Sequence, residues 1–178
     1  MPDNRVELTR LERLFLSNQY RILEALYPNL AEEYSVRREA IELGYELLYD
    51  WNADYIYDKE DILTRDEALE VWDTFDMFDS LKRSAEKLQK LDWLSSHFCS
   101  SFLGYDGNNE TKFMAFAEFT IERLKRFQYI DLPNDKYYNS HTVMRPKYQK
   151  MLFEWKKIPS PSRFDLSEDQ IKSILSVE

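Results

Sequence analysis

One stretch constrains the fold more than any other: Leu8–Tyr27, which reads LTRLERLFLSNQYRILEALY. At about 100° per residue, Leu8, Leu11, Leu14, Phe15, Ile22, Ala25 and Leu26 fall in one arc, while Arg10, Arg13, Ser17, Arg21 and Glu24 face the other way. The spacing predicts an amphipathic helix whose arc docks into a core. Asn18 and Gln19 sit inside that same arc. A buried amide without a hydrogen-bond partner costs on the order of 1–3 kcal/mol. Whatever covers this helix is therefore expected to supply partners for two side-chain amides.

The rest of the chain favours helices too. Only three glycines and six prolines punctuate 178 residues, which disfavours a sandwich or barrel. An apolar content of 43% and an aromatic content of 15% are too rich for disorder, even with 32% charged residues. The length is enough to bury one sizeable core, so a single domain over residues 1–178 is expected. No uncharged run approaches the roughly 20 residues that cross a bilayer, and the polar start MPDNRVELTR has no signal-peptide apolar stretch. The lone Cys99 has no partner for an intrachain disulfide, which fits a reducing cytoplasm. The net charge of −9 is uneven: residues 1–81 hold 8 Lys and Arg against 20 Asp and Glu, residues 82–178 hold 16 against 13. An acidic chain lacks the electrostatic footprint of a nucleic-acid binder, and the small basic faces around Arg123–Arg126 and Arg145–Lys157 do not restore one.

Boundaries can be placed along the chain. Thr9 with Glu12, Thr64 with Glu67 and Ser167 with Gln170 have the spacing of N-terminal capping boxes. Pro28 stops the first helix, and Asn29 is expected to cap a second running over Leu30–Asp50. That second helix is apolar on two sides and should be sandwiched between neighbours. The acidic and aromatic stretch Trp51–Leu63 predicts a connection. A helix from Thr64 should turn Val71, Trp72, Phe75 and Phe78 inward and bend or restart before Leu91. Gly104 and Gly107 mark a turn, after which Asn108 or Asn109 should cap a helix over Glu110–Gln128. A loop at Tyr129–Thr142 precedes a helix over Arg145–Lys157 with Tyr148, Leu152 and Trp155 on one face. The reading is an all-α domain of about six or seven helices.

Reactive chemistry is thin. Glu32, Glu39, Glu42, Glu46 and Asp50 line one side of the second helix, but a helical di-metal site also needs Glu-x-x-His twice. Leu94 and Tyr138 stand three residues before His97 and His141, so no metal or cofactor is expected. Asp106–Glu110 lacks the ligand spacing of a calcium loop. No Gly-x-Ser-x-Gly elbow and no phosphate-cradling glycine loop is present. His97 and Cys99 would diverge on a helix. His141, in a loop beside Asn139 and Ser140, is the more plausible functional histidine. No residue qualifies as catalytic.

Several stretches resemble the bacterial YfbU family: LERLFLSNQYRILEAL with its Asn18–Gln19 pair, Glu39–Tyr45 (EAIELGY), Phe102–Glu110 (FLGYDGNNE), Asn139–Trp155 (NSHTVMRPKYQKMLFEW) and the tail LSEDQIKSIL. The resemblance runs through nearly the whole chain in order and departs at Trp51–Leu63. It implies a small helical protein of the bacterial cytoplasm and no particular reaction. Two functions remain open on these residues. One is a non-enzymatic, homo-oligomeric protein-interaction module held by helix faces that one chain does not fully cover. The other is a small-molecule-binding protein or hydrolase-like enzyme with a polar pocket around Asn18, Gln19, Asp106 and His141.

Overall fold

The computed structural model describes residues 6–50, 56–57, 61–130, 132 and 138–177. Among them the fold is all-α, with seven α-helices: α1 (Arg10–Leu26), α2 (Ala31–Leu43), α3 (Arg65–Lys87), α4 (Leu91–Ser95), α5 (Thr111–Glu118), α6 (Arg145–Lys157) and α7 (Glu168–Leu175). The described residues contain no strand; one isolated bridge joins Tyr105 to Asn139. Contacts gather the chain into two compact units, residues 1–60 and 61–178. Most of the Trp51–Leu63 connection lies outside the described residues.

The first unit is a helical hairpin. α1 starts at a reciprocal capping box, in which the Thr9 hydroxyl accepts from the Glu12 N–H and the Glu12 carboxylate accepts from the Thr9 N–H. Pro28 stops it and opens a short 3-10 turn, Pro28–Leu30. The expected Asn29 cap does not form: α2 follows from Leu30 with no side-chain cap. α2 is also shorter than its apolar pattern predicts. Gly44 takes the left-handed conformation (φ +78°) and directs its N–H back to Ala40 and Ile41, which ends the helix at Leu43. A 3-10 turn, Glu46–Leu48, carries on from there.

The second unit is built around α3. Its capping box at Thr64 and Glu67 forms as expected, and Val71, Phe75, Phe78, Leu81 and Ala85 are buried along one face. The helix continues unbroken to Lys87, and Gln89 in the left-handed region turns the chain into α4. Phe75, Phe78, Phe102, Tyr105 and Tyr148 form an edge-to-face aromatic cluster with centroids 5.0–6.2 Å apart. α5 is shorter than expected. Its end widens to π geometry over Phe119–Arg123, and Lys125 in the left-handed region closes it before Gln128. α6 spans the expected residues, with Tyr148, Leu152 and Trp155 buried.

Candidate functional site

The charged residues of α1 are the first surprise. Arg13, Ser17 and Glu24, expected on the solvent side, turn toward α2. Ser17 is the buried residue of the helix. Its hydroxyl donates to Glu42 Oε1 at 2.6 Å, and Arg21 Nη2 donates to the same oxygen at 3.1 Å. Arg38 reaches across to Glu24 at 2.7 Å and along α2 to Glu42 at 3.2 Å. The Ser17 hydroxyl, with Arg21 and Arg38 behind it, holds the Glu42 carboxyl below its usual range against the upward push of burial. Tyr20 and Tyr27 flank Tyr34 with centroids 6.4 and 6.3 Å away. The seam of the hairpin is therefore polar and aromatic.

The apolar arc faces out instead. Leu11, Leu14, Phe15, Ile22 and Leu26 are 51–65% exposed, and Asn18 and Gln19 are exposed between them. Val36, Leu43 and Leu47 of the expected second stripe on α2 are exposed as well. The periodicity locates the arc correctly. What it cannot specify is which side the arc turns, because that depends on whether the neighbouring helix offers oil or charge, and α2 offers Arg38 and Glu42.

Beside the seam runs a groove of about 560 Å³, lined by Arg10, Leu11, Arg13, Leu14, Ser17, Asn18, Arg21, Ile41 and Glu42. Asn18 faces it and Gln19 is not among its lining. The groove is not a free cationic cup. Arg21 is spent on Glu42, and Arg13 Nη1 donates to the Ile41 carbonyl at 3.4 Å.

Asp106 and His141 belong to the second unit, where Asn139 ties their loops together. Its Oδ1 accepts from the Gly107 N–H at 3.0 Å and the His141 N–H at 2.9 Å. Asp106 is buried and accepts from the N–H groups of Asn108 and Asn109, both at 2.8 Å, and from the Asn109 amide. These backbone donors, Asn109 first and then Asn108, hold its carboxyl low, with a smaller electrostatic contribution from His141. So Asp106 is the acceptor that folds the Asp-Gly-Asn-Asn turn, and the asparagines expected to cap α5 are its donors. The His141 side chain is exposed, on backbone with φ +53°. Gly104 (φ +93°) cannot be replaced without strain, since a Cβ there collides with the Tyr138 carbonyl.

A residue that sequence reasoning missed sits next to this turn. Glu110 is buried and accepts three backbone N–H groups: Asp106 at 2.8 Å, Met144 at 3.1 Å and Arg145 at 2.7 Å. It thereby caps α6 from 34 residues away, where no local pattern could reveal it. Arg145 in turn grips Glu70 of α3 through Nε at 2.7 Å and Nη2 at 3.1 Å.

The remaining reactive candidates are occupied or masked. Nδ1 of His97 is 2.8 Å from the Trp93 carbonyl, and Cys99 is buried, which pushes its thiol up to about 11. Among the described residues, no group of three or more His, Cys, Asp or Glu is placed to hold a metal ion. No helix among them is long and apolar enough to cross a membrane.

A family model described as the YfbU domain matches residues 6–177. The UPF0304 protein MJECS11 of Methanocaldococcus jannaschii is 35% identical over 172 residues, covering 95% of this chain and 99% of the relative. That relative is archaeal, so the similarity is not confined to bacterial proteins.

Proposed function

We propose, from the premise that this chain belongs to the YfbU family, that it is a non-enzymatic protein-interaction module of the cytoplasm that assembles with copies of itself. The observation that carries the reading is the outward arc of α1. Five large apolar side chains in one stripe, more than half exposed, form the kind of contiguous patch that soluble monomers rarely leave open. Burying such side chains contributes roughly 1.5–3 kcal/mol each when they go from exposed to covered. The single Cys99 suits a reducing compartment.

A pocket built from Asn18, Gln19, Asp106 and His141 is supported less well. Asp106 is committed to the turn that it folds, and the arginines nearest Asn18 are engaged by Glu42 and the Ile41 carbonyl.

Static light scattering of the purified chain over the micromolar range tests the first reading. The expected mass is at least twice the 21.5 kDa of one chain. A strict monomer throughout overturns it.

A further inference from the structure

The outward face of α1 has an internal symmetry that points to its occupant. When the helix is read from Leu11 forward and from Leu26 backward, polarity matches at the centre of that face, while at its edge the exposed Ala25 answers to Glu12. Leu11 corresponds to Leu26, Phe15 to Ile22, and Asn18 to Gln19. A two-fold interface needs this self-matching, because each copy presents the same patch in reversed direction. A foreign partner does not.

We propose that α1 packs antiparallel against α1 of a second copy of this chain, about a two-fold axis between Asn18 and Gln19. This rests on the reading of the protein as self-associating and specifies the face and its register. Phe15 then meets Ile22 of the other copy, Leu11 meets Leu26, and the Asn18 amide meets the Gln19 amide. Primary amides are self-complementary, each offering a donor pair and an acceptor. Two amides that would be costly against oil satisfy one another at the axis. Registers shifted by three or four residues bury an amide against Phe15 or Ile22. The pair thus sets the alignment, as a buried asparagine does in a coiled coil.

Area and charge agree with a second copy. Taking roughly 200 Å² for a fully exposed residue of this size, the 51–65% exposures leave about 600 Å² per copy and about 1,200 Å² per pair, the lower edge for specific interfaces. Residues 1–60 hold 7 Lys and Arg against 13 Asp and Glu, a balance of −6. Yet α1 itself holds Arg10, Arg13 and Arg21 against Glu12 and Glu24, a balance of +1. Arg13, Arg21 and Glu24 are already engaged at the seam. The acidic excess lies off the helix, and Glu12, the remaining carboxylate of α1, is engaged with Thr9 at its capping box.

Cysteine trapping in the full chain tests the geometry, with Cys99 left in place because it is buried. The unaltered chain, whose buried Cys99 should give no linked dimer, serves as control. Under mild oxidation Asn18→Cys alone should yield a linked dimer, because position 18 lies within one residue of the axis. Leu11→Cys alone and Leu26→Cys alone should not, since each lies about 22 Å along the helix from its own counterpart. A mixture of those two variants should link. If light scattering shows a dimer but Leu11→Cys links to itself, or the mixture fails to link, this arrangement is overturned and self-association stands. A monomer at every concentration removes both.

Discussion

The two units of this chain treat oil in opposite ways. In residues 61–178, Val71, Phe75, Phe78, Phe102, Tyr148 and Trp155 are buried to 4% exposure or less, and the charged residues buried with them, Asp106 and Glu110, are held by backbone N–H donors. In residues 1–60, Ser17, Ala40 and Ile41 are the buried described residues, the charges line the seam, and Leu11, Phe15 and Leu26 look outward. A hydrogen-bonded seam can align two helices, but it gives little net stability per bond, about 0.5–1.5 kcal/mol. The second unit holds itself together by burial. The first leaves the apolar stripe of α1 uncovered by its own hairpin.

The largest effect that would break this contrast lies in the second unit. Phe75→Ala, in the aromatic cluster, should cost about 3–5 kcal/mol in chemical denaturation. Leu14→Ala, measured at concentrations below assembly, should stay within about 0.5 kcal/mol of the parent, as at an ordinary surface position. Equal losses would mean that α1 is already covered within one chain.

The next effect sharpens the contrast through association. Phe15→Glu puts a carboxylate in the middle of the stripe and should weaken self-association about 100-fold or more, roughly 2.7 kcal/mol, with unchanged helical circular dichroism. Sedimentation across a concentration series reads it out. A variant that assembles like the parent moves the interface elsewhere.

The smallest effect is in the pH response of the second unit. Burial pushes the Glu67 carboxyl up, but the ammonium of Lys112 and the N–H and hydroxyl of Thr64 outweigh it and hold it at about 2. A carboxyl whose folded pKa lies below its unfolded value of 4.5 stabilises the fold above that value. The contribution is lost as pH falls toward 2. Glu67→Gln should therefore flatten the decline in stability between those pH values. An unchanged slope would assign the acid sensitivity to other carboxyls.

Local signals in the sequence were legible and long-range ones were not. The three capping boxes form as the spacing predicts because donor and acceptor lie three residues apart. The extent of α6 and its buried face could be read for the same reason. The stop at Gly44 was missed because an apolar pattern continues past it, and the left-handed cap overrides the pattern. The orientation of α1 was missed because hydrophobic periodicity assumes that the nearest neighbour is apolar, whereas α2 presents Arg38 and Glu42. Of the polar candidates, Asp106 was expected beside a pocket, and its part as acceptor for the N–H groups of Asn108 and Asn109 was not read. Glu110 gave no signal, since two of its three donors are 34 and 35 residues downstream.

That carboxylate also has a consequence for how order spreads through the chain. The N–H of Asp106 and those of Met144 and Arg145 share one acceptor residue, so the Asp-Gly-Asn-Asn turn and the start of α6 cannot be settled independently. Closing a loop of that length is entropically costly before any contact rewards it. Because Glu110 answers both ends at once, the two segments should open and close as a single cooperative event.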